Sequence, residues 1–193
     1  MIAIIKYNGG NLNSVQNALN RLNADSVVTD DFETIQNADK VIFPGVGEAS
    51  STMKLLKEKG LDELIPNLKQ PVLGICLGMQ LMCGRNEEGN TSGMGIFDIE
   101  VKKFPSYDLV PHMGWNTFHN EKSLLFSGLR QWDDVYFVHS YYCELSDYTT
   151  SVCNYILPFS ASLQKDNFFA VQFHPEKSGA AGNEILMNFL KLS

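Results

Sequence analysis

The run Val72-Leu73-Gly74-Ile75-Cys76 passes without a spacer into Leu77-Gly78-Met79-Gln80-Leu81-Met82. The first stretch reads as a buried strand and the second as the opening of a helix. Only a sharp turn can join them, and Gly74 and Gly78 flank that turn in the pattern G-x-C-x-G. This is the cysteine form of a nucleophile elbow, in which a strained strand-to-helix turn lifts a reactive atom above a sheet edge. Glycines fit there because closely packed strand and helix leave no room for Cβ atoms. A chain built around such a turn is confined to α/β architectures.

The flanking pattern agrees. Ile2–Ile5, Ser26–Thr29 and Val41–Phe43 read as short strands. Between them lie a helix carrying Leu12, Val15, Leu19 and Leu22, with Asn11 as its N-cap, and a short helical stretch at 32–38. A turn is expected at Asn8-Gly9-Gly10. After Pro44-Gly45-Val46-Gly47 a further helix runs through Met53, Leu55 and Leu56. Short apolar strands joined by helices imply right-handed crossovers and a mostly parallel sheet. From about residue 96 the pattern turns strand-rich, at 96–104, 135–140, 151–156, 160–164 and 168–173. These are expected as antiparallel additions to the same sheet, closed by a helix with Ile185, Leu186, Phe189 and Leu190. The expected fold is one α/β domain over residues 1–193, a flavodoxin-like open sheet flanked by helices.

Composition narrows the function. The 15 basic and 22 acidic residues give a net charge of −7, which disfavours binding to nucleic acid or an anionic membrane. The opening Met1–Lys6 run is too short for a signal peptide or a membrane span. Of the 4 cysteines none forms a C-x-x-C pair, so reduced thiols in the cytoplasm are expected. Cys83, Cys143 and Cys153 lie in apolar contexts and read as buried structural thiols.

Cys76 is the expected nucleophile, since a helix N-terminus favours the thiolate. A thiol nucleophile needs a base, and the base an orienting group. His174-Pro175-Glu176 ends the last strong strand and supplies both. Residues i and i+2 of an extended segment share a side, and Pro175 biases His174 toward that conformation. Charge developing on a carbonyl oxygen needs backbone donors. Leu77 N–H is the first candidate. Pro44 has no N–H, so the second falls to Val46 or Gly45.

Gly74–Gln80 and His174-Pro175-Glu176 together resemble the two hallmark motifs of the class I (triad) glutamine amidotransferases, and the likeness spans essentially the whole chain. The segments Tyr7–Val15, Pro44–Gly47, His112-Met113-Gly114-Trp115-Asn116, Tyr136–Tyr141 and His174–Ser178 make it most similar to the glutaminase subunits of imidazole glycerol phosphate synthases. Lys6 and Asn8 depart from their pattern in the opening turn. The resemblance implies that Cys76 attacks the glutamine side-chain amide, that His174 moves protons and that Glu176 orients it. It implies that Gln80 and Glu88 hold the substrate L-glutamine, with Ser140 and Tyr141 lining the pocket. It also implies a partner, a (β/α)8-barrel cyclase subunit that makes imidazole glycerol phosphate and an aminoimidazole carboxamide ribotide, contacted by Trp115 and Lys177. No metal or other cofactor is implied. His112 and His139 read as structural or pocket-lining, and His119 as a loop residue.

Two other readings stand beside this one. A glutaminase serving a different synthase shares the same motifs, and the partner discriminates it. A binding or stress protein with this fold and a reactive cysteine would release no glutamate from glutamine.

Overall fold

The computed structural model describes residues 1–7, 11–119, 122–130 and 132–192. The turn expected at Asn8-Gly9-Gly10, with the departure at Asn8, lies outside them. The N-terminal half alternates as its apolar runs require. Its strands are β1 (Ile2–Ile5), β2 (Ser26–Thr29), β3 (Lys40–Gly45) and β4 (Val72–Cys76). Its helices are α1 (Leu12–Arg21), α2 (Phe32–Gln36), α3 (Ala49–Glu58), α4 (Leu61–Leu64) and α5 (Leu77–Met82). There follow β5 (Cys83–Asn86), β6 (Thr91–Ser92), β7 (Phe97–Lys103), β8 (His112–Asn116), β9 (Val135–His139) and β10 (Tyr141–Cys143). The chain closes with β11 (Thr149–Asn154), β12 (Pro158–Lys165), β13 (Phe168–Val171) and α6 (Gly179–Lys191).

The main sheet has the order β11-β12-β13-β4-β3-β1-β2. Its parallel part, β2-β1-β3-β4-β13, follows the doubly wound order of flavodoxin-like folds. β1, β4 and β13 are buried along their whole length, which explains their unbroken apolar runs. Alternate side chains feed opposite faces. Ile2, Ile4 and Leu73 pack with Val15 and Leu19 of α1 and with Ile185, Leu186 and Phe189 of α6. Ala3, Ile5 and Phe43 pack with Met53 and Leu56 of α3 and Leu61 and Leu64 of α4.

The C-terminal half departs from expectation in three ways. β11 and β12 do extend the main sheet antiparallel, but β13 joins β4 in parallel. β7 leaves that sheet for a second one of order β10-β7-β5-β6. β9 pairs with β8 in a separate antiparallel ribbon. For β7 the reason is one of wetting. Phe97 and Val101 are buried, whereas Asp98, Glu100 and Lys103 face solvent. A strand with one polar face cannot lie in a sheet covered by helices on both sides.

Asn11 precedes α1 as expected, but its side chain caps no backbone N–H of the helix. It accepts from the Ser14 hydroxyl and donates from Nδ2 to Glu176 Oε1 at 3.4 Å. Among the described residues no helix is long and apolar enough to cross a membrane.

Candidate active site

β3 and β4 run side by side, with Gly45 opposite Cys76 at their carboxyl ends. Ligands of open parallel sheets bind beyond that edge. Cys76 sits between β4 and α5 at φ 53° and ψ −109°. A side chain held in such a sparsely populated region costs about 1–3 kcal/mol, so its surroundings must enforce it. They do so by close packing. A Cβ on Gly78 would stand 2.0 Å from the Phe43 carbonyl oxygen, and one on Gly45 2.5 Å from the Gly78 nitrogen. The start of α5 is thus pressed onto β3, and the turn at Cys76 has nowhere to relax.

His174 lies beyond β13 and is tied to β9. Its N–H donates to the Tyr136 carbonyl at 2.9 Å, and its own carbonyl accepts from Ser178 Oγ at 2.6 Å. Ser178 Oγ in turn accepts from the Tyr136 N–H at 2.9 Å. The ring Nδ1 is 2.8 Å from Glu176 Oε1, and both side chains are buried. A carboxylate only accepts, so Nδ1 carries the hydrogen. The expected route to this pair needs correction. Only His174 is extended, at φ −104° and ψ 94°, while Pro175–Lys177 forms a 3₁₀ turn. The carboxylate is curled back by that turn, and is not carried there on a strand face. Pro175 suits the first position of the turn, where an N–H would have no partner.

Burial pushes the His174 pKa down, but the Cys76 sulfur and the Glu176 carboxylate outweigh it and raise it to about 10. Nε2 makes no hydrogen bond of ordinary geometry, although the sulfur acts on the ring. The proton therefore stays on the imidazole at neutral pH, beside the sulfur.

A cleft of about 400 Å³ opens over these groups. It is of a size typical for small-molecule sites, which run from about 300 to 1,000 Å³. Cys76, Leu77, Val46, Gln80, Glu88, Ser140, Tyr141 and His174 all line it. Gly45 does not, being locked in β3. Leu77 opens α5, where N–H groups lack partners within the helix. Val46 follows β3, and its N–H acts on the Tyr7 phenol oxygen without making a hydrogen bond of full geometry. That phenol, raised in pKa by burial and by Cys76, donates to the Pro44 carbonyl at 2.6 Å. Glu88 Oε2 accepts from the Ala49 N–H at 2.8 Å, and burial raises its pKa.

Two residues escaped the sequence reading. Gln172, fully buried, stands between Gln80 and Cys76. It was visible as the one polar residue in Phe168–Phe173, on the same face as His174. Tyr7 braces the Pro44–Gly47 loop. His112 and His139, expected to be structural or pocket-lining, form a buried pair, Nδ1 to Nε2 at 3.0 Å, and His139 lines the cleft. The remaining cysteines are free and buried, as expected. Trp115, 57% exposed, and the exposed Lys177 each approach Tyr136, with ring centroids 5.9 Å apart in one case and Nζ 5.9 Å from the ring in the other. Among the described residues no group of His, Cys, Asp and Glu could hold a metal ion.

A flavodoxin-like sheet carrying a cysteine elbow and a buried His–Glu pair at one edge defines a class. The family model for class-I glutamine amidotransferases matches residues 4–192, and the chain belongs to that family. It is 57% identical over 194 residues to the imidazole glycerol phosphate synthase subunit HisH of Bacteroides thetaiotaomicron, covering 99% of each chain. To the protein of the same name from Escherichia coli K12 it is 45% identical, again over 99% of each. Among solved structures, a crystal structure of a glutamine amidotransferase superposes with a TM-score of 0.75 at 16% identity, covering 99% of this chain and 98% of that one. The structure of PurLQS from Thermotoga maritima superposes at 0.70 with 14% identity, covering 98% and 96%. Those two likenesses speak to the fold alone.

Proposed function

We propose that residues 1–193 form one glutamine amidotransferase domain, the glutaminase subunit of an imidazole glycerol phosphate synthase. Cys76 attacks the side-chain carbonyl carbon of L-glutamine, forming a C–S bond and an oxyanion. Leu77 N–H and Val46 N–H are the donors to that oxygen. His174, protonated at neutral pH, gives its Nε2 proton to the amide nitrogen, the C–N bond breaks and ammonia leaves. The imidazole then takes a proton from water, whose oxygen attacks the glutamyl thioester and releases glutamate. Glu176 holds the ring in one tautomer. Gln80, Glu88, Ser140 and Tyr141 hold the substrate.

The ammonia passes to a (β/α)8-barrel cyclase subunit, which makes imidazole glycerol phosphate and aminoimidazole carboxamide ribotide in histidine biosynthesis. Trp115 and Lys177 belong to the face that docks it, and the complex works in the cytoplasm. The free glutaminase is nearly silent. Its Val46 N–H is turned toward Tyr7, and docking rotates that peptide toward the cleft. Gly47, at φ 114°, supplies the freedom for this, whereas Gly45 is held in β3. One oxyanion donor is worth about 10²–10³-fold in turnover.

The observation that carries the reading is the His174–Glu176 pair buried beside the strained Cys76 beneath the cleft. The test is glutamate release from glutamine by the free chain, by its complex with the barrel partner, and by that complex with nucleotide ligand. Release should rise mainly in kcat on assembly. Cys76→Ser should abolish it while ammonium salts still support the barrel's reaction. Equal rates in free chain and complex would end the gating idea, and normal turnover by Cys76→Ser the whole reading.

A further inference from the structure

A chain of buried amides leads from a backbone carbonyl to the nucleophile, and its direction is fixed. The Tyr141 carbonyl can only accept, and it takes a hydrogen from Gln80 Nε2 at 2.9 Å. The second hydrogen on the same nitrogen goes to Gln172 Oε1 at 3.0 Å. With its oxygen committed there, Gln172 must turn its Nε2 the other way, where Cys76 Sγ lies 3.6 Å off. The side chain is fully buried, so water cannot serve in place of the sulfur. Reversing the amide would set two carbonyl oxygens or two NH2 groups against each other.

We propose that Gln172 is a catalytic residue of this site, donating a hydrogen bond from Nε2 to the Cys76 sulfur, held in that orientation by Gln80, and stabilising the thiolate that attacks glutamine. The inference rests on the function proposed above and adds a hydrogen-bond donor to the sulfur, where the His174 ring acts on it without a hydrogen bond of ordinary geometry. A donor aimed at an acceptor favours its charged form, and bonds to an ionised partner are the stronger kind. The other groups around the sulfur pull in different directions. His174, with Glu176 behind it, favours the thiolate. The Val138 carbonyl at 3.9 Å can take the proton of the neutral thiol and favours that form. Tyr7, neutral, interacts with the sulfur from the end of β1. Gln80 also gains a narrower role. Both its hydrogens are spent within the protein, so toward a ligand it offers only the acceptor Oε1.

The experiment follows iodoacetamide alkylation of Cys76 against pH in the folded chain, reading the labelled peptide by mass, with glutamine kinetics of the barrel complex in parallel. Gln172→Met has the same length and no donor. It should move the alkylation profile to higher pH by about one unit, since losing one hydrogen bond to the anion removes part of its stabilisation. Labelling at pH 7 should then slow about tenfold, with kcat falling and glutamine KM changing far less. Gln172→Glu, which puts an acceptor and a charge against the sulfur, should shift the profile further. Where Gln172→Met fails to fold by circular dichroism, Gln172→Glu decides alone. A wild-type alkylation profile in a folded variant would overturn the inference, provided the wild-type complex turns over glutamine. Absence of glutamate release by the wild-type complex would instead overturn the function on which it rests.

Discussion

His174 carries two opposed influences, and their balance sets the chemistry. Burial favours the neutral ring, while the Cys76 sulfur and Glu176 favour the cation and win, holding its pKa near 10. Replacing the ring by Asn removes the proposed acid and base together. Turnover should drop by ~10²–10⁴-fold, the usual worth of positioned proton transfer. Glu176→Gln leaves the ring in place but removes one of the charges that raise it. The folded pKa then falls, so the cation is lost at lower pH. Turnover should be reduced less than in His174→Asn, and the alkaline limb of the kcat profile should move to lower pH. A pH–rate series on the barrel complex measures both, and an unmoved limb in Glu176→Gln would refute this role for the carboxylate.

The β8–β9 ribbon shows how one element serves two surfaces. Its period of two turns Met113 and Trp115 outward and His112 inward. His112 stacks between Phe137 and Tyr155, at 4.8 and 4.1 Å. His139 Nδ1 is 2.7 Å from the Tyr141 carbonyl, which fixes the tautomers. His139 donates to that carbonyl, His112 Nδ1 donates to His139 Nε2, and Asn116 Nδ2 lies 3.3 Å from His112 Nε2. Burial lowers both pKa values, His112 to about 4 and His139 to about 3. Folding therefore favours the neutral rings. Their contribution is complete above the unfolded value of about 6.5 and is lost as pH falls toward 3–4. The loss is at most roughly 1.4 kcal/mol per pH unit for each ring. Urea denaturation should give lower stability at pH 5 than at pH 7.5. His112→Phe should be less stable at pH 7.5 and show a shallower acid slope, and an unchanged slope would refute the pairing argument.

On the scale of the molecule, the site and the proposed docking face share the same ribbon. Tyr136 carries Trp115 and Lys177 on the outside, and through Ser178 and its own carbonyl it holds His174 within. The exposed Trp115 side chain contributes little to folding. Anchoring aromatics at interfaces typically cost at least ~2 kcal/mol on truncation. Trp115→Ala should therefore keep the melting temperature of the free chain nearly unchanged and weaken binding of the barrel partner at least ~10-fold, as read by titration calorimetry. Unchanged affinity would move the docking face elsewhere.

Local sequence determined the parts of this protein whose constraints are local. Unbroken apolar runs required β1, β4 and β13 to be buried on both faces, and G-x-C-x-G required the tight passage from β4 into α5. His174-Pro175-Glu176 made its pair within three consecutive residues. The tertiary structure alone decided which sheet β7 and β9 joined, because a half-polar strand can pair wherever one face stays wet. It alone decided where the Gln172 amide points, since that follows from a carbonyl on β10 and a side chain on α5. Contacts between residues distant along the chain have no signature in spacing, and they emerge only when packing brings their donors and acceptors together.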